Sequence, residues 1–227
     1  YFRVGILCSG AGSYFWEIMT HIQTILTRAG YYNSIYYTWE LRNKNRGIIP
    51  LVQSRQTDGI IFFPSIQKKD NELIDYFKSR KENLVILGRT LNDKSTYQID
   101  VDNYKAGKEA AIKFLNQGHK KFIFIWGHEA HQSSHDRFHG FQDALTDAGI
   151  PLPEARQLPG GFNSSETYNH VKEIFSDIPE FTAVFASNDG SALGFMRAAY
   201  ENKIECPRDY SIIGFDNSMD FTPFTVP

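Results

Sequence analysis

The sequence predicts an α/β chain folded as two doubly wound parallel-sheet lobes, residues 1–100 and 101–227, with a cleft between them. Three observations carry this. Short apolar runs alternate with amphipathic stretches along the whole chain, which is the rhythm of βα units. The rhythm halts near residues 98–101 and then restarts, so two arrays stand in tandem. Finally, residues 182–217 form one complete βαβ unit whose apolar runs, 183–186 and 210–215, end in Ser187-Asn188-Asp189 and Asp216-Asn217. The carboxyl ends of neighbouring parallel strands line the ligand crevice of an open α/β sheet. These polar tips therefore share one rim and offer donors and acceptors to a hydroxyl-rich ligand.

Taken in order, residues 4–7 read as a first strand and Cys8 to Ser13 as a small-residue loop. Phe15, Ile18, Met19, Ile22, Ile25, Leu26 and Ala29 mark one helical face, which Gly30 closes. A second strand spans 34–37. Pro50 inside 47–56 predicts a helix that starts late or kinks. Strand 59–63, a helix capped by Asp70 and carrying Leu73, Ile74 and Phe77, and strand 84–87 complete the first array. Residues 98–101 look like a short crossing segment. Helix 104–117 ends at Gly118, strand 121–126 follows, and helix 135–148 ends at Gly149 with Pro151 as a stop signal. A strand near 156–158 and a Ser-capped helix over 165–175 lead into the βαβ unit.

The totals exclude several classes. With 227 residues, 41% hydrophobic and 22% charged, the chain has the composition of a globular protein with ample core. Its 24 basic and 26 acidic residues are interspersed, so it presents no basic nucleic-acid surface of its own. The apolar runs are too short to span a membrane, and the chain opens on a strand, as a chain trimmed of a leader also would. Cys8 and Cys206 do not make a disulfide framework, so reduced thiols in a cytoplasmic protein are expected.

Candidate chemistry is sparse. Gly10-Ala11-Gly12-Ser13-Tyr14-Phe15 resembles a dinucleotide fingerprint, with Glu40 near the place of a ribose-binding acid. Phe15, however, stands where the third glycine belongs. The alternatives are a flexible loop, or Tyr14 and Phe15 facing the cleft as stacking platforms. His128, His131, His135 and His139 cluster in one stretch, and 135/139 has a helical spacing that suits zinc. Only Ala130 separates Glu129 from His131, which breaks the zincin pattern, so a solvated loop and helix start is the expectation and no metal is assigned. Ser65-Ile66-Gln67-Lys68 matches S-x-x-K without its companion motifs. No nucleophile and base assemble, so the chain is expected to bind rather than catalyse. Arg137 falls at a helix start after strand 121–126, where a guanidinium gives paired hydrogen bonds to vicinal hydroxyls or a carboxylate. The alternative is a surface ion pair with Asp136 or Asp143. Phe162, in Gly160-Gly161-Phe162-Asn163, follows a strand and reads as either an aromatic floor or a loop residue packed on the core.

Together these residues resemble the effector-binding core of the lactose/galactose-repressor (LacI/GalR) family. The matching signatures are Val-Gly-Ile-Leu at 4–7, Thr57-Asp58-Gly59-Ile60-Ile61, Val101-Asp102-Asn103-Tyr104-Lys105-Ala106-Gly107 and Gly118-His119-Lys120-Lys121-Phe122-Ile123. They continue with Arg137-Phe138-His139-Gly140-Phe141, Asn188-Asp189-Gly190-Ser191-Ala192-Leu193-Gly194 and Ile213-Gly214-Phe215-Asp216-Asn217. Residues 87–93 with Val101-Asp102-Asn103 and Asp136-Arg137 further resemble the maltose-operon-regulator branch.

The resemblance implies a periplasmic-binding-protein-like fold of type I and a repressor core that binds a small-molecule effector, typically a mono- or oligosaccharide. Arg137, Asn188 and Asp216 would hydrogen-bond the effector, and Tyr14, Phe15 and Phe162 would line or stack on it. Asp189 and Asn217 are then left to cap helices and brace loops. It also implies a homodimer that meets operator DNA through a helix-turn-helix domain, with no cofactor and no membrane. That domain does not precede Tyr1, and the chain stops at Thr225-Val226-Pro227 where relatives cross back to the first lobe. The natural protein is therefore expected to be longer. Gly88 departs from the pattern, standing where some relatives carry an effector-contacting Asp, and the four-histidine loop has no counterpart in it. A transport-associated periplasmic sugar-binding protein is the alternative reading, and a nicotinamide-dependent enzyme using the Gly10/Gly12 loop is a third.

Overall fold

A computed structural model describes residues 2–9, 13–38, 48–53, 56–65, 68–91, 93 and 95–218. The chain divides into two compact units, Tyr1–Val101 and Asp102–Pro227. In the first, β1 (Arg3–Cys8), β2 (Tyr32–Tyr37), β3 (Gly59–Phe63), β4 (Leu84–Leu87) and β5 (Tyr97–Ile99) form a parallel sheet in the order β2-β1-β3-β4-β5. Helix α1 (Ser13–Arg28) packs Met19 against Ile6, Cys8 and Phe63 of the sheet. The other face carries Leu7, Ile60, Phe62, Leu84 and Ile86 and is covered by α2 (Ile48–Gln53) and α3 (Lys68–Ser79), which contribute Val52, Ile74 and Phe77. Along β3, residues 60 and 62 face one layer and 61 and 63 the other, the period of two that a doubly covered strand requires.

The second unit repeats the winding. Strands β6 (Phe122–Ile125), β7 (Gln157–Leu158), β8 (Ala183–Ala186) and β9 (Ser211–Ile213) pair in parallel in the order β7-β6-β8-β9. Helices α4 (Asn103–Asn116) and α5 (Gln132–Asp147) cover a face of Phe122, Phe124 and Phe185 with Phe114, Phe138, Phe141 and Leu145. Helices α6 (Ser164–Ile174) and α7 (Asp189–Glu201) cover Ile123, Ile125 and Val184 with Val171, Phe195 and Ala198. Beneath the strands, His119 bridges the Thr182 hydroxyl at 3.0 Å and the Ser211 hydroxyl at 3.2 Å.

Helices α4 and α5 touch backbone to backbone through two glycines. A Cβ on Gly140 would lie 1.9 Å from the Tyr104 carbonyl oxygen, and one on Gly107 would lie 2.0 Å from the Arg137 carbonyl oxygen. No side chain fits in either place, so the glycines fix how closely the two helices approach and thereby where Arg137 stands.

The structure corrects several local expectations. Residues 97–99 are not a crossing segment but β5, paired with β4. Pro50 lies in the first turn of α2, where its missing N–H breaks no helical hydrogen bond. Helix α3 begins at Lys68, so Asp70 is not its cap; its buried carboxylate instead accepts from the Ser65 amide and hydroxyl, both at 2.6 Å. Helix α5 begins three residues earlier than expected, after His131, and the apolar run at 210–215 forms a shorter strand, Ser211–Ile213. Helix α6 is capped by Asn163, which accepts from the Glu166 amide at 3.0 Å, rather than by Ser165. Asn163→Ala removes that acceptor and is expected to lower stability by about 1 kcal/mol. Urea unfolding monitored by circular dichroism reads this, and an unchanged midpoint would discount the cap.

Candidate functional site

The strand order reverses between β1 and β3 in the first sheet and between β6 and β8 in the second, and open α/β sheets present their crevice at such points, beyond the strand ends. In the second unit this edge is built from residues far apart in sequence. Arg137, in the second turn of α5, is 7% exposed. Its Nε donates to Asn103 Oδ1 at 2.9 Å, and its Nη1 donates to the Ser187 carbonyl at the end of β8. The guanidinium lies 3.5 Å from the Phe215 ring centroid and 5.9 Å from that of Phe162. Asn103 opens α4 and is itself buried, while the Ser187 hydroxyl donates to the Ile125 carbonyl at 2.8 Å. A buried charge needs such a set of acceptors, and the π face adds to it. Arg137 is thus an interior residue rather than a surface ion-pair partner.

Three further expected residues meet at the same edge. Phe162 follows β7 with φ +61°, and Asp216 and Asn217 follow β9 with φ +99° and +53°. Asn and Asp enter this region more readily than other non-glycine residues, whereas for the bulky Phe162 it costs about 1–3 kcal/mol, and such strain concentrates at ligand sites. Asn188 is the N-cap of α7: its Oδ1 accepts from the Ser191 amide at 2.9 Å and its Nδ2 donates to the Phe162 carbonyl at 3.1 Å. Asp189, expected to cap a helix and brace the loops, leaves the capping to Asn188 and braces the loop after β9. Its amide donates to the Phe215 carbonyl at 2.9 Å, and its Oδ2 accepts from the Ser218 amide at 2.8 Å.

Tyr14 and Phe15 occupy the first turn of α1 in the first unit, beyond the ends of β1 and β3. Phe15 packs edge-on to Phe63 at 6.0 Å and joins the core under α1, and Tyr14 stands edge-on to Phe15 at 5.3 Å. Gly10, Gly12 and Glu40 lie outside the described residues. Gly88, with φ +68°, donates its amide to the Ile99 carbonyl at 2.9 Å, a backbone conformation that glycine adopts freely. Ser65 and Lys68 take separate partners, Asp70 and Glu72, so the S-x-x-K match assembles no nucleophile.

Among the four histidines, His131 stands edge-on to Phe162 at 5.7 Å, and His135 Nε2 donates to the Glu129 carbonyl. Among the described residues no group of three or more His, Cys, Asp or Glu side chains is placed to hold a metal ion, and no helix is long and apolar enough to cross a membrane. Neither cysteine forms a disulfide, and burial pushes the Cys206 thiol above its usual range. Sequence reasoning missed Asn103, Ser187 and Phe215 as partners of Arg137. All three follow a strand end or open a helix, and Ser187 already stands among the polar tips of the rim.

The arrangement offers fixed donors, carboxylate and amide groups and aromatic faces, and among the described residues no nucleophile and base are assembled here. Residues 111–227 match the periplasmic binding protein-like domain. The HTH-type transcriptional regulator AscG of Escherichia coli (strain K12) is 27% identical over 216 residues, covering 95% of this chain and 64% of its own length. The probable HTH-type transcriptional repressor ExuR of Bacillus subtilis (strain 168) is 30% identical over 170 residues, covering 75% and 50%. The crystal structure of a sugar-binding transcriptional regulator of the LacI family from Escherichia coli, complexed with phosphate, aligns with TM-score 0.80 and 26% identity over 99% of this chain and 81% of that one. The chain therefore spans 64% and 50% of the lengths of the two curated regulators. From the domain match, the shared winding and these relatives, the chain belongs to the periplasmic binding protein-like domain family, and its relatives there are LacI-family transcriptional regulators.

Proposed function

We propose that this chain is the effector-binding core of a bacterial, cytoplasmic transcriptional repressor that responds to a sugar. The observation that carries the reading is Arg137, buried at the switch point of the second sheet and aimed by Asn103, the Ser187 carbonyl and the Phe215 face. A sugar ring has apolar faces and a girdle of hydroxyls, so it suits a site that combines aromatic rings with a guanidinium and a carboxylate. Arg137, Phe162, Asn188 and Asp216 in the second unit and Tyr14 and Phe15 in the first are the proposed contacts. Binding would shift the balance between two arrangements of the lobes in a homodimer and so change the spacing of DNA-reading domains carried elsewhere in the protein. The relatives are named as regulators, which weighs against the transport-associated alternative.

Calorimetric titration of a panel of neutral mono- and disaccharides tests this. The best ligand of the wild type is expected to bind Asp216→Ala at least tenfold more weakly, the loss of one charge-assisted hydrogen bond. Equal affinity of the two proteins would overturn the assigned site.

A further inference from the structure

We propose that the effector is a disaccharide and that His131 and His128 line a second sugar subsite, outward of the Phe162 ring. The proposal rests on the sugar-binding reading and names the class of sugar. It starts from the four-histidine stretch, which the effector contacts leave unused.

The stretch opens on a tight turn. The His128 carbonyl accepts from the His131 amide at 2.9 Å, and the Gly127 amide donates to Ser134 Oγ at 2.9 Å, which ties the turn to α5. A four-residue turn closed in this way brings its first and last residues together. The two imidazoles accordingly lie 5.6 Å apart, at 78° to one another. His131 also stands 5.7 Å from the Phe162 ring, at 84°. Phe162 itself rests on Gly127, where a Cβ would fall 2.1 Å from its Cζ. Phe162, His131 and His128 therefore form one ladder of rings, which runs from a proposed effector contact through a half-buried imidazole to an exposed one.

A single pyranose seated on Phe162 covers one step of this ladder, and the ladder continues beyond it. An imidazole suits that continuation, because it offers an apolar ring face and ring nitrogens that bond hydroxyls. His128 Nδ1 accepts from the Ala130 amide at 3.3 Å, so the neutral ring carries its proton on Nε2 as a donor. Glu129 lies within the turn, and Asp136 on α5 accepts from Gln132 Nε2 at 2.8 Å. These carboxylates beside the imidazoles disfavour a phosphate or an acid there and favour a second uncharged ring.

Calorimetry on the intact protein tests this with disaccharides set against the monosaccharides that compose them. The wild type is expected to bind its best disaccharide at least tenfold more tightly than either component. His131 makes no side-chain capping bond to α5, so His131→Ala removes none. It should lower the disaccharide affinity about tenfold, the contact of one aromatic ring, and change that of the better-bound monosaccharide less than twofold. His128→Ala should cost the disaccharide about two- to fivefold, since the outer ring is less desolvated. Phe162→Ala should weaken both ligands, which separates the two subsites.

Equal losses for monosaccharide and disaccharide in His131→Ala would show that His131 acts by holding Phe162, and would overturn the proposal. So would an unchanged disaccharide affinity in that variant, or a sugar phosphate that binds the wild type more tightly than every disaccharide and depends on His131. If monosaccharides bind and a second ring adds nothing, the second subsite falls while the sugar reading stands. If no sugar binds, both fall.

Discussion

Gly140→Ala and Gly107→Ala are each expected to lower the stability of the second unit by about 2–3 kcal/mol, although alanine is intrinsically the better helix former by about 1 kcal/mol. The two effects oppose, and the distances decide between them. A methyl group 1.9 Å or 2.0 Å from a backbone carbonyl oxygen cannot be relieved by rotating a side chain, so α4 and α5 must separate. Separation opens the layer of Phe114, Phe138 and Phe141, whose packing exceeds the propensity gain. The thermal midpoint should fall by roughly 5–15 °C, read by circular dichroism. Gly107→Ala should also weaken ligand binding, because its methyl group presses on the carbonyl of Arg137 itself. Midpoints within a degree or two of the wild type would show that the helices yield freely and that the glycines do not set their spacing.

Arg137→Met is the substitution expected to cost most in binding and little in stability. Methionine fills much of the same volume against Phe215, and removing a buried charge also removes its desolvation cost. Against that, Asn103 Oδ1 and the Ser187 carbonyl lose a donor, at about 1–3 kcal/mol for each group left unsatisfied. The opposing terms leave a net change within about 2 kcal/mol. Binding has no such compensation, since the fixed donors are gone, and affinity should fall a hundredfold or more. Arg137→Lys should restore only part of it, because an ammonium reproduces neither the two-sided anchoring nor the stacking on Phe215. Retention of sugar binding in Arg137→Met would remove the residue on which the functional reading rests.

The winding of both sheets was legible because it depends on period alone. Residues 122–125 are buried on both sides and read as a continuous apolar run, and glycines mark the helix ends at 30, 118 and 149. The helix starts were misread for one physical reason. Asp, Asn and Ser satisfy exposed helical amides from more than one position, so Asp70, Ser165 and Asp189 each looked like a cap while standing third, second and first in their helices. Residues in the loops just after a strand, such as Phe162, Asn188 and Asp216, could be assigned to the strand-end edge from the sequence. The hold of Asn103 on Arg137 could not, because it joins two helices whose approach is set by backbone contact at Gly107 and Gly140, and no periodicity encodes a distance. Positive φ at Phe162 and Asp216 was equally hidden, since strain of this kind comes from distant partners and not from residue type.

The partners of Arg137 have a consequence for the order in which the protein becomes competent. Asn103 lies at the first turn of its unit, Ser187 behind the third strand and Phe215 behind the fourth, so a nascent chain holds no pocket until its last strand has docked. Under the proposed function, effector would therefore engage finished molecules and ignore partly folded ones. It would add its binding free energy to the native state alone, by RT ln(1 + [L]/Kd). The signal that the regulator reads would also protect it from unfolding and proteolysis, so its lifetime in the cell would rise with the concentration it measures.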